Sequence, residues 1–365
     1  MKIVHVVNNG ERSTLGVERQ ATYLATAQKA RGCDVMIAVD RKGIFMEACD
    51  QYDIPVTVYD NLARLGWPPE PNSITDFIGI LRSFSADIVH CHSLPAAGLG
   101  ITAGNRMNIP CVFDNGAGII LPRVTGLHYA ILCHTASVYE ELKKKAPEVA
   151  AFNVPLGTKA WLRTDVQQTS SAEPVNLTSV GSLEHRKAVD TAILAMAGLR
   201  RSLGASCPVL NIYGDGDQRE YLTEMTTALE LDEVVRFHGF KLDVLEHCPS
   251  TDIFVMSSRA ETGPLVVLEA MSRGMPIVAT DVGEVAGMLP DRRYGRVIPP
   301  NSVKALADAI ESLLADIAAR QFDPDLLIER HGSLYSLEKW AERMDTVYNQ
   351  VRLTKPPKTA PFAGM

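Results

Sequence analysis

The sequence predicts an α/β protein made of two similar parallel-sheet halves that face each other across a central cleft. Three observations carry that prediction. Short apolar runs, such as KIVHVV at the start and IFVM at 253–256, alternate with longer amphipathic stretches throughout the 365 residues. That is the pattern of strands buried on both faces between covering helices. The alternation breaks at the polar, strand-poor segment TDVQQTSSAEP (164–174) and then restarts. Finally, polar residues and glycines gather after the apolar runs, and in open parallel sheets ligands sit beyond the carboxyl ends of strands.

The length suits two domains of about 100–200 residues each. With 46% hydrophobic and 22% charged residues, and no apolar run long enough to cross a bilayer, the composition is that of a soluble, cytoplasmic protein. MKIVHVVNNG reads as a first strand rather than a signal peptide. A formal net charge of −7 argues against a nucleic-acid partner. The seven cysteines are scattered without CxxC pairs, so neither a disulfide framework nor a structural zinc is expected.

In chain order, Lys2–Val7 is a strand, and the loop holding Gly10 and Gly16 leads to a helix from Val17 to about Ala30. This is a Rossmann-like opening without a complete GxGxxG, so it gives no nicotinamide site, although Gly16 allows close approach of a phosphate or hydroxyl. Strands follow at 34–39 and 54–58. Residues 61–72 (NLARLGWPPEPN) form an irregular loop in which Trp67 is either a binding surface or an anchor. A helix through Phe77 and Leu81 precedes the strand Asp87–Cys91, a helix over 95–106 and the strand Pro110–Phe113. His92 stands at one strand end and Asp114, Asn115 and Gly116 at the other; His92 is a candidate catalytic residue, and His90 reads as a core histidine. The helix ending in Lys143–Lys145 has either a solvated, dipole-favoured terminus or a basic patch for peripheral contact with anionic lipid.

The second half repeats the pattern. A strand at 176–180 is followed by the turn GSLEHRK, whose Lys187 could pair with phosphate oxygens, with His185 and Arg186 either further donors or solvated surface groups. The loop GDGDQ after the strand Val209–Tyr213 carries Gly214, and Gly239 follows the strand Val234–His238. The stretch Thr251–Gly283 then forms a strand–helix–strand unit. Glu261 lies just before a helix that opens at Gly263, Pro264 and Leu265, and Glu269 lies within it, between Leu268 and Ala270. Free amides at that helix start favour an anion. Further helices run over 302–320 and 336–351, the last with Leu337, Trp340, Ala341, Met344, Val347 and Tyr348 on one stripe, before a polar, proline-rich tail expected to be disordered.

The segment ETGPLVVLEAMSRGMPIVATDVG resembles the retaining glycosyltransferases of family 4: its Glu261 and Glu269 match that family's E-x7-E motif. Lys187, YGDGDQREYL, VRFHG and LGVERQATYLA match further family patterns, so the resemblance covers nearly the whole chain. It implies a GT-B fold with an acceptor-side domain over 1–165 and a nucleotide-sugar domain over 175–335. A closing helix over 336–352 would return to the first domain, and the tail over 353–365 would be flexible. It further implies that Glu261 contacts the transferred sugar, Glu269 the ribose and Lys187 the phosphates, with Gly16, Ser182, Arg186, Gly214, Gly239, Gly263, Pro264 and Leu265 as further donor contacts. The donor would be a UDP- or GDP-sugar. The acceptor would be a glycan, lipid-linked or small-molecule hydroxyl, in polysaccharide, lipopolysaccharide or glycoconjugate biosynthesis. No cofactor and no metal are expected.

The chain departs from the family at several positions. Ser182 replaces the usual phosphate-binding arginine, a role Arg186 could fill, and the histidine usual after the Pro110 strand is missing. Leu156–Gly157 and Gly283–Glu284 replace the usual NG and GG pairs. Two alternatives therefore stand beside transfer: a nucleotide-sugar 2-epimerase of the same architecture, and a nucleotide-sugar-binding protein without turnover.

Overall fold

The computed structural model describes residues 1–8, 16–41, 45–59, 70–114, 129–161, 175–241, 244–247 and 253–353. The expectations for Trp67, Asn115, Gly116, the segment 164–174 and the tail from 354 lie outside the described residues. The chain forms two compact units. One comprises the described residues of Met1–Gly157 and Leu337–Met365, and the other comprises those of Thr158–Ser336.

In the first unit, β1 (Lys2–Val7), β2 (Asp34–Val39), β3 (Val56–Val58), β4 (Ile88–Cys91), β5 (Cys111–Asp114), β6 (Tyr129–Cys133) and β7 (Ala150–Asn153) form one parallel sheet in the order β3-β2-β1-β4-β5-β6-β7. The central strands carry apolar residues on both faces because helices cover both; β4, IVHC, is buried along its whole length. Val4, Val6, Phe77, Leu81, Val89 and Leu99 belong to its core. Ser93 and Thr135 cap the helices Leu94–Arg106 and Ala136–Lys145 by accepting from Ala96 N and Val138 N. The closing helix Leu337–Leu353 belongs to this unit, with Trp340, Ala341, Met344, Val347 and Tyr348 buried. Gln28, on the helix Gly16–Ala30, donates to Tyr348 Oη at 3.0 Å, and Arg31 donates to Asp345 at 2.8 Å.

In the second unit, β8 (Asn176–Val180), β9 (Val209–Tyr213), β10 (Val235–Phe237), β11 (Ile253–Met256), β12 (Ile277–Thr280) and β13 (Arg296–Ile298) form a second parallel sheet in the order β10-β9-β8-β11-β12-β13. Both units are thus Rossmann-like, as the alternation predicts. In each, strand order reverses once, between β1 and β4 and between β8 and β11. Chains leaving adjacent strands in opposite directions open a crevice at that point.

Two local readings need correction. The loop expected over 61–72 is too long: Glu70 is extended, and Pro71 is the first residue of the helix Pro71–Phe84. Proline suits that position because its missing N–H has no intrahelical partner there. The strand β7, AAFN, and the helices Phe45–Gln51 and Pro324–Arg330 have too little apolar periodicity to be read in advance. No helix among the described residues is long and apolar enough to cross a membrane.

Candidate functional site

The second unit's switch point collects most of the donor residues named above. After β8 the chain turns through Gly181 and Ser182 into the 3-10 turn His185–Lys187; after β11 it runs through Ser257 and Ser258 to Glu261. The two loops are tied together by backbone and side chain. Arg259 N donates to Arg186 O at 2.8 Å, and the Arg259 guanidinium grips both oxygens of Asp190 at 3.1 and 2.7 Å. Ser257 Oγ donates to Ala188 O at 2.9 Å, and Thr280 Oγ1 donates to Ser258 O at 2.7 Å.

On this frame three donors converge on one carboxylate. Lys187 Nζ lies 2.6 Å and Ser258 Oγ 2.8 Å from Glu261 Oε1, and Arg186 Nη1 lies 3.0 Å from Oε2. The Glu261 side chain is 9% exposed and that of Lys187 20%, whereas Arg186 reaches outward at 42%. A pocket lined by Gly181, Ser182, Leu183, Lys187, Ser258 and Val266 opens beside them. The helix Leu265–Ser272 starts at Pro264 with no side-chain cap, and Val267 N donates to Pro264 O at 3.0 Å. Glu269 is 2% exposed inside that helix, not an ordinary surface glutamate.

Among the predicted glycines, Gly214 has a packing explanation. Gly214 holds φ +147°, and a Cβ there would stand 2.8 Å from the Gly181 carbonyl carbon and closer still to its oxygen. Gly214 N donates to Gly239 O at 2.9 Å, and Gly181 N donates to Tyr213 O at 3.0 Å. Gly214 and Gly239 therefore set the height of the Gly181 loop. Gly283, which sequence reasoning treats only as part of a departure, lets the carbonyls of Glu261 and Thr262 pack where a Cβ would come within 2.7 and 2.8 Å.

His92 and Gly16 belong to the first unit, where Gly16 is exposed at the start of its helix. At that unit's switch point the register sets His5 opposite His90. His92 follows β4 and Asp114 ends β5. His5 Nδ1 lies 2.8 Å from His92 Nε2, and His5 Nε2 lies 2.7 Å from Gln28 Oε1. His90 Nδ1 lies 2.7 Å from Tyr348 Oη. Asp114 stands between the histidines, Oδ1 3.1 Å from His90 Nε2 and Oδ2 2.7 Å from His92 Nδ1, and Gln20 Nε2 donates to Oδ2 at 3.1 Å. Burial, then the neighbouring His92 and His90, push His5 well below the usual histidine range; burial, then His90, lower His92. Burial would raise the Asp114 carboxyl, but the two histidines beside it more than reverse that and hold it well below the carboxylate range. His90 is fully buried, as expected of a core histidine, but His92 is only 4% exposed.

Residues 163–323 match the profile of the glycosyl transferases group 1, and residues 15–114 match that of glycosyltransferase family 4. An uncharacterized glycosyltransferase of Methanocaldococcus jannaschii is 30% identical over 307 residues, which cover 74% of this chain and 77% of that protein. The chain belongs to the group 1, family 4 glycosyltransferases. An alpha-D-kanosaminyltransferase of Streptomyces kanamyceticus is 32% identical over 178 residues, 48% of this chain and 45% of that enzyme. The chain likewise spans less than two thirds of several other curated relatives, among them glycogen synthase of Mycobacterium tuberculosis at 64%. The fold matches that of HepE of Anabaena, solved with UDP and glucose, with TM-score 0.80 and 17% identity over 96% of this chain and 100% of that one. The architecture of this glycosyltransferase is therefore GT-B.

Asp190, His5 and Gln28 escape sequence reasoning, and Gly283 and Tyr348 enter it only as a departure and as part of an apolar stripe. Asp190 opens a helix and reads as a solvated first-turn acid. His5 sits inside an apolar strand, where only the β1–β4 pairing shows its neighbour.

Proposed function

We propose that this glycosyltransferase moves a sugar from a UDP- or GDP-sugar to an acceptor hydroxyl with retention of anomeric configuration. The observation that carries the reading is the convergence of Lys187, Arg186 and Ser258 on Glu261 beneath an uncapped helix start. Lys187 and Arg186 both pair with the Glu261 carboxylate. A diphosphate would draw Lys187 and Arg186 to itself, lie against the amides after Pro264 and free Glu261 to accept from a sugar hydroxyl. Arg186 would supply the charge that Ser182 lacks. Glu269 would meet the ribose.

As the bond between the anomeric carbon and the diphosphate oxygen breaks, negative charge builds on the diphosphate, and Lys187, Arg186 and the helix amides would stabilise it without a metal. The acceptor oxygen would bond to the same face of that carbon and pass its proton to the departing diphosphate. His92, being buried, is assigned no step. Both solved forms of the Anabaena protein with UDP-glucose or UDP and glucose favour a sugar-nucleotide donor for relatives of this fold. A lipopolysaccharide core glycosyltransferase of Rhizobium meliloti among the relatives favours a glycan or glycolipid acceptor, which leaves room for peripheral membrane contact.

A panel of UDP- and GDP-sugars, screened first for thermal stabilisation and then for products, tests the reading. A glycosylated acceptor with retained configuration, formed equally well with a chelator present, is expected. An epimerised donor, an inverted product or binding without turnover would each overturn it.

A further inference from the structure

Three polar atoms in the first unit are buried, close together and without a hydrogen-bond partner among the described residues: His90 Nε2, His92 Nδ1 and Asp114 Oδ1. Their residues are 0%, 4% and 6% exposed. The separations are short, 3.1 Å from His90 Nε2 to Asp114 Oδ1 and 2.7 Å from His92 Nδ1 to Asp114 Oδ2, but the approach is not in line for a hydrogen bond. Buried polar atoms left this way cost stability unless something else satisfies them.

The surrounding bonds say what is missing. With Gln28 assigned so that Oε1 faces His5 and Nε2 donates to Tyr348, the amide oxygen can only accept, so His5 carries its proton on Nε2. Neutral His5 then accepts on Nδ1, and His92 must donate to it from Nε2. His92 Nδ1 is left beside the Asp114 carboxylate, 2.7 Å from Oδ2, with no in-line hydrogen bond between them. A proton on His92 Nδ1 would not lie in line with Oδ2, whereas a metal ion set off the line between the two atoms can meet both.

We propose that His90 Nε2, His92 Nδ1 and the Asp114 carboxylate bind one divalent first-row transition-metal ion. Two imidazoles and a carboxylate are the ligand types such ions take. Bonds of about 2.0–2.2 Å place neighbouring donors roughly 3 Å apart, close to the 3.1 and 2.7 Å that separate His90 Nε2 and His92 Nδ1 from the Asp114 oxygens. His92 Nε2 is held by His5 and Gln20 holds Asp114 Oδ2; ligation through His90 Nε2 requires the tautomer in which His90 Nδ1–H donates to Tyr348 Oη, which also accepts from Gln28. This outer shell fixes ring orientation in the way that metal-ligating histidines require. One nitrogen from each of His5, His90 and His92 lies within 4.8 Å of the others, but both His5 nitrogens are already bonded, so His5 orients rather than ligates. The ion would join β4 and β5 beside the point where the sheet order reverses, and through the outer shell β1 and the closing helix. It stands apart from the donor chemistry of the second unit, and it departs from the expectation of no metal.

The test uses the untagged full chain, stripped with a chelator and titrated with Co2+ and then Zn2+. The expected result is one Co2+ per chain, with visible bands of nitrogen–oxygen ligation, no thiolate charge-transfer band, displacement by Zn2+ and a raised Tm. His92→Ala and Asp114→Asn should abolish uptake. Tyr348→Phe, which removes no ligand, should keep the stoichiometry but weaken binding about tenfold. Should the ligand variants fail to fold, the wild-type and Tyr348→Phe titrations decide. No uptake by folded wild type, a thiolate spectrum, uptake that survives in folded His92→Ala, or equal affinity in Tyr348→Phe would overturn the proposal.

Discussion

Glu261→Gln separates the sugar-contacting role from a merely structural one. The amide matches the carboxylate in shape, and its oxygen can still accept from Lys187 and Ser258, which now stand at 2.6 and 2.8 Å. Its NH2 would then face Arg186 Nη1, at present 3.0 Å from Oε2, as donor against donor. The Arg186 side chain is 42% exposed and can swing into solvent, so the loss of stability is under about 1 kcal/mol. For transfer, a hydrogen bond from a sugar hydroxyl to a charged acceptor becomes one to a neutral amide. That is a loss of about 1.5–3 kcal/mol at most, or roughly 10- to 150-fold in kcat/KM. Binding of the nucleoside diphosphate alone should be unchanged or tighter, because Lys187 is no longer held by a full negative charge. Steady-state kinetics with the stabilising donor and calorimetric titration with its diphosphate give both readouts. Diphosphate affinity that falls in step with kcat/KM, or a variant with wild-type activity, would refute the assignment.

Two other predictions concern the frame beneath the site. Gly214→Ala forces a methyl group onto the Gly181 carbonyl at φ +147°, and overpacking of this kind costs about 1–3 kcal/mol before the backbone strain is added. Its urea midpoint should fall well below that of Gly32→Ala, which shares a positive φ (+82°) but has nothing within 4 Å. The buried His331, which shares a 2.9 Å hydrogen bond with Thr158 Oγ1, is pushed down to about 4 by desolvation. Its folded value lies below the unfolded value of about 6.5, so stability is fully present above pH 6.5 and is lost as pH falls through the folded value. Integrated over that window, the loss is about 3 kcal/mol. His331→Gln should flatten the denaturation midpoint over this range, and an unchanged slope would show that other groups carry it.

The sequence made the second unit more legible than the first. Its strands, its turn at Lys187 and its carboxylates at Glu261 and Glu269 each follow a local pattern of apolar run, polar strand end and helix start. The grip of Arg259 on Asp190 and the room that Gly283 leaves for the carbonyls of Glu261 and Thr262 are contacts between separate loops, and no spacing announces them. In the first unit the histidines themselves were visible, but their meaning depends on sheet order. His5 meets His90 only because β1 pairs with β4, and Tyr348 reaches both Gln28 and His90 from the closing helix. The stripe on that helix was readable from the pattern; its partner, the first domain, came only from the family resemblance.

The central claim is a diphosphate site built on Lys187. Its most direct test is the Tm of the full chain and of Lys187→Met against UDP, GDP and the corresponding monophosphates. At a hundredfold excess over Kd a bound diphosphate stabilises the native state by about 2.7 kcal/mol, which is roughly 5–10 °C for a unit of this size. One of the diphosphates should raise the wild-type Tm by that amount, its monophosphate should do markedly less, and Lys187→Met should lose most of the diphosphate shift. Equal shifts in wild type and Lys187→Met, or no shift with either diphosphate, would contradict the account.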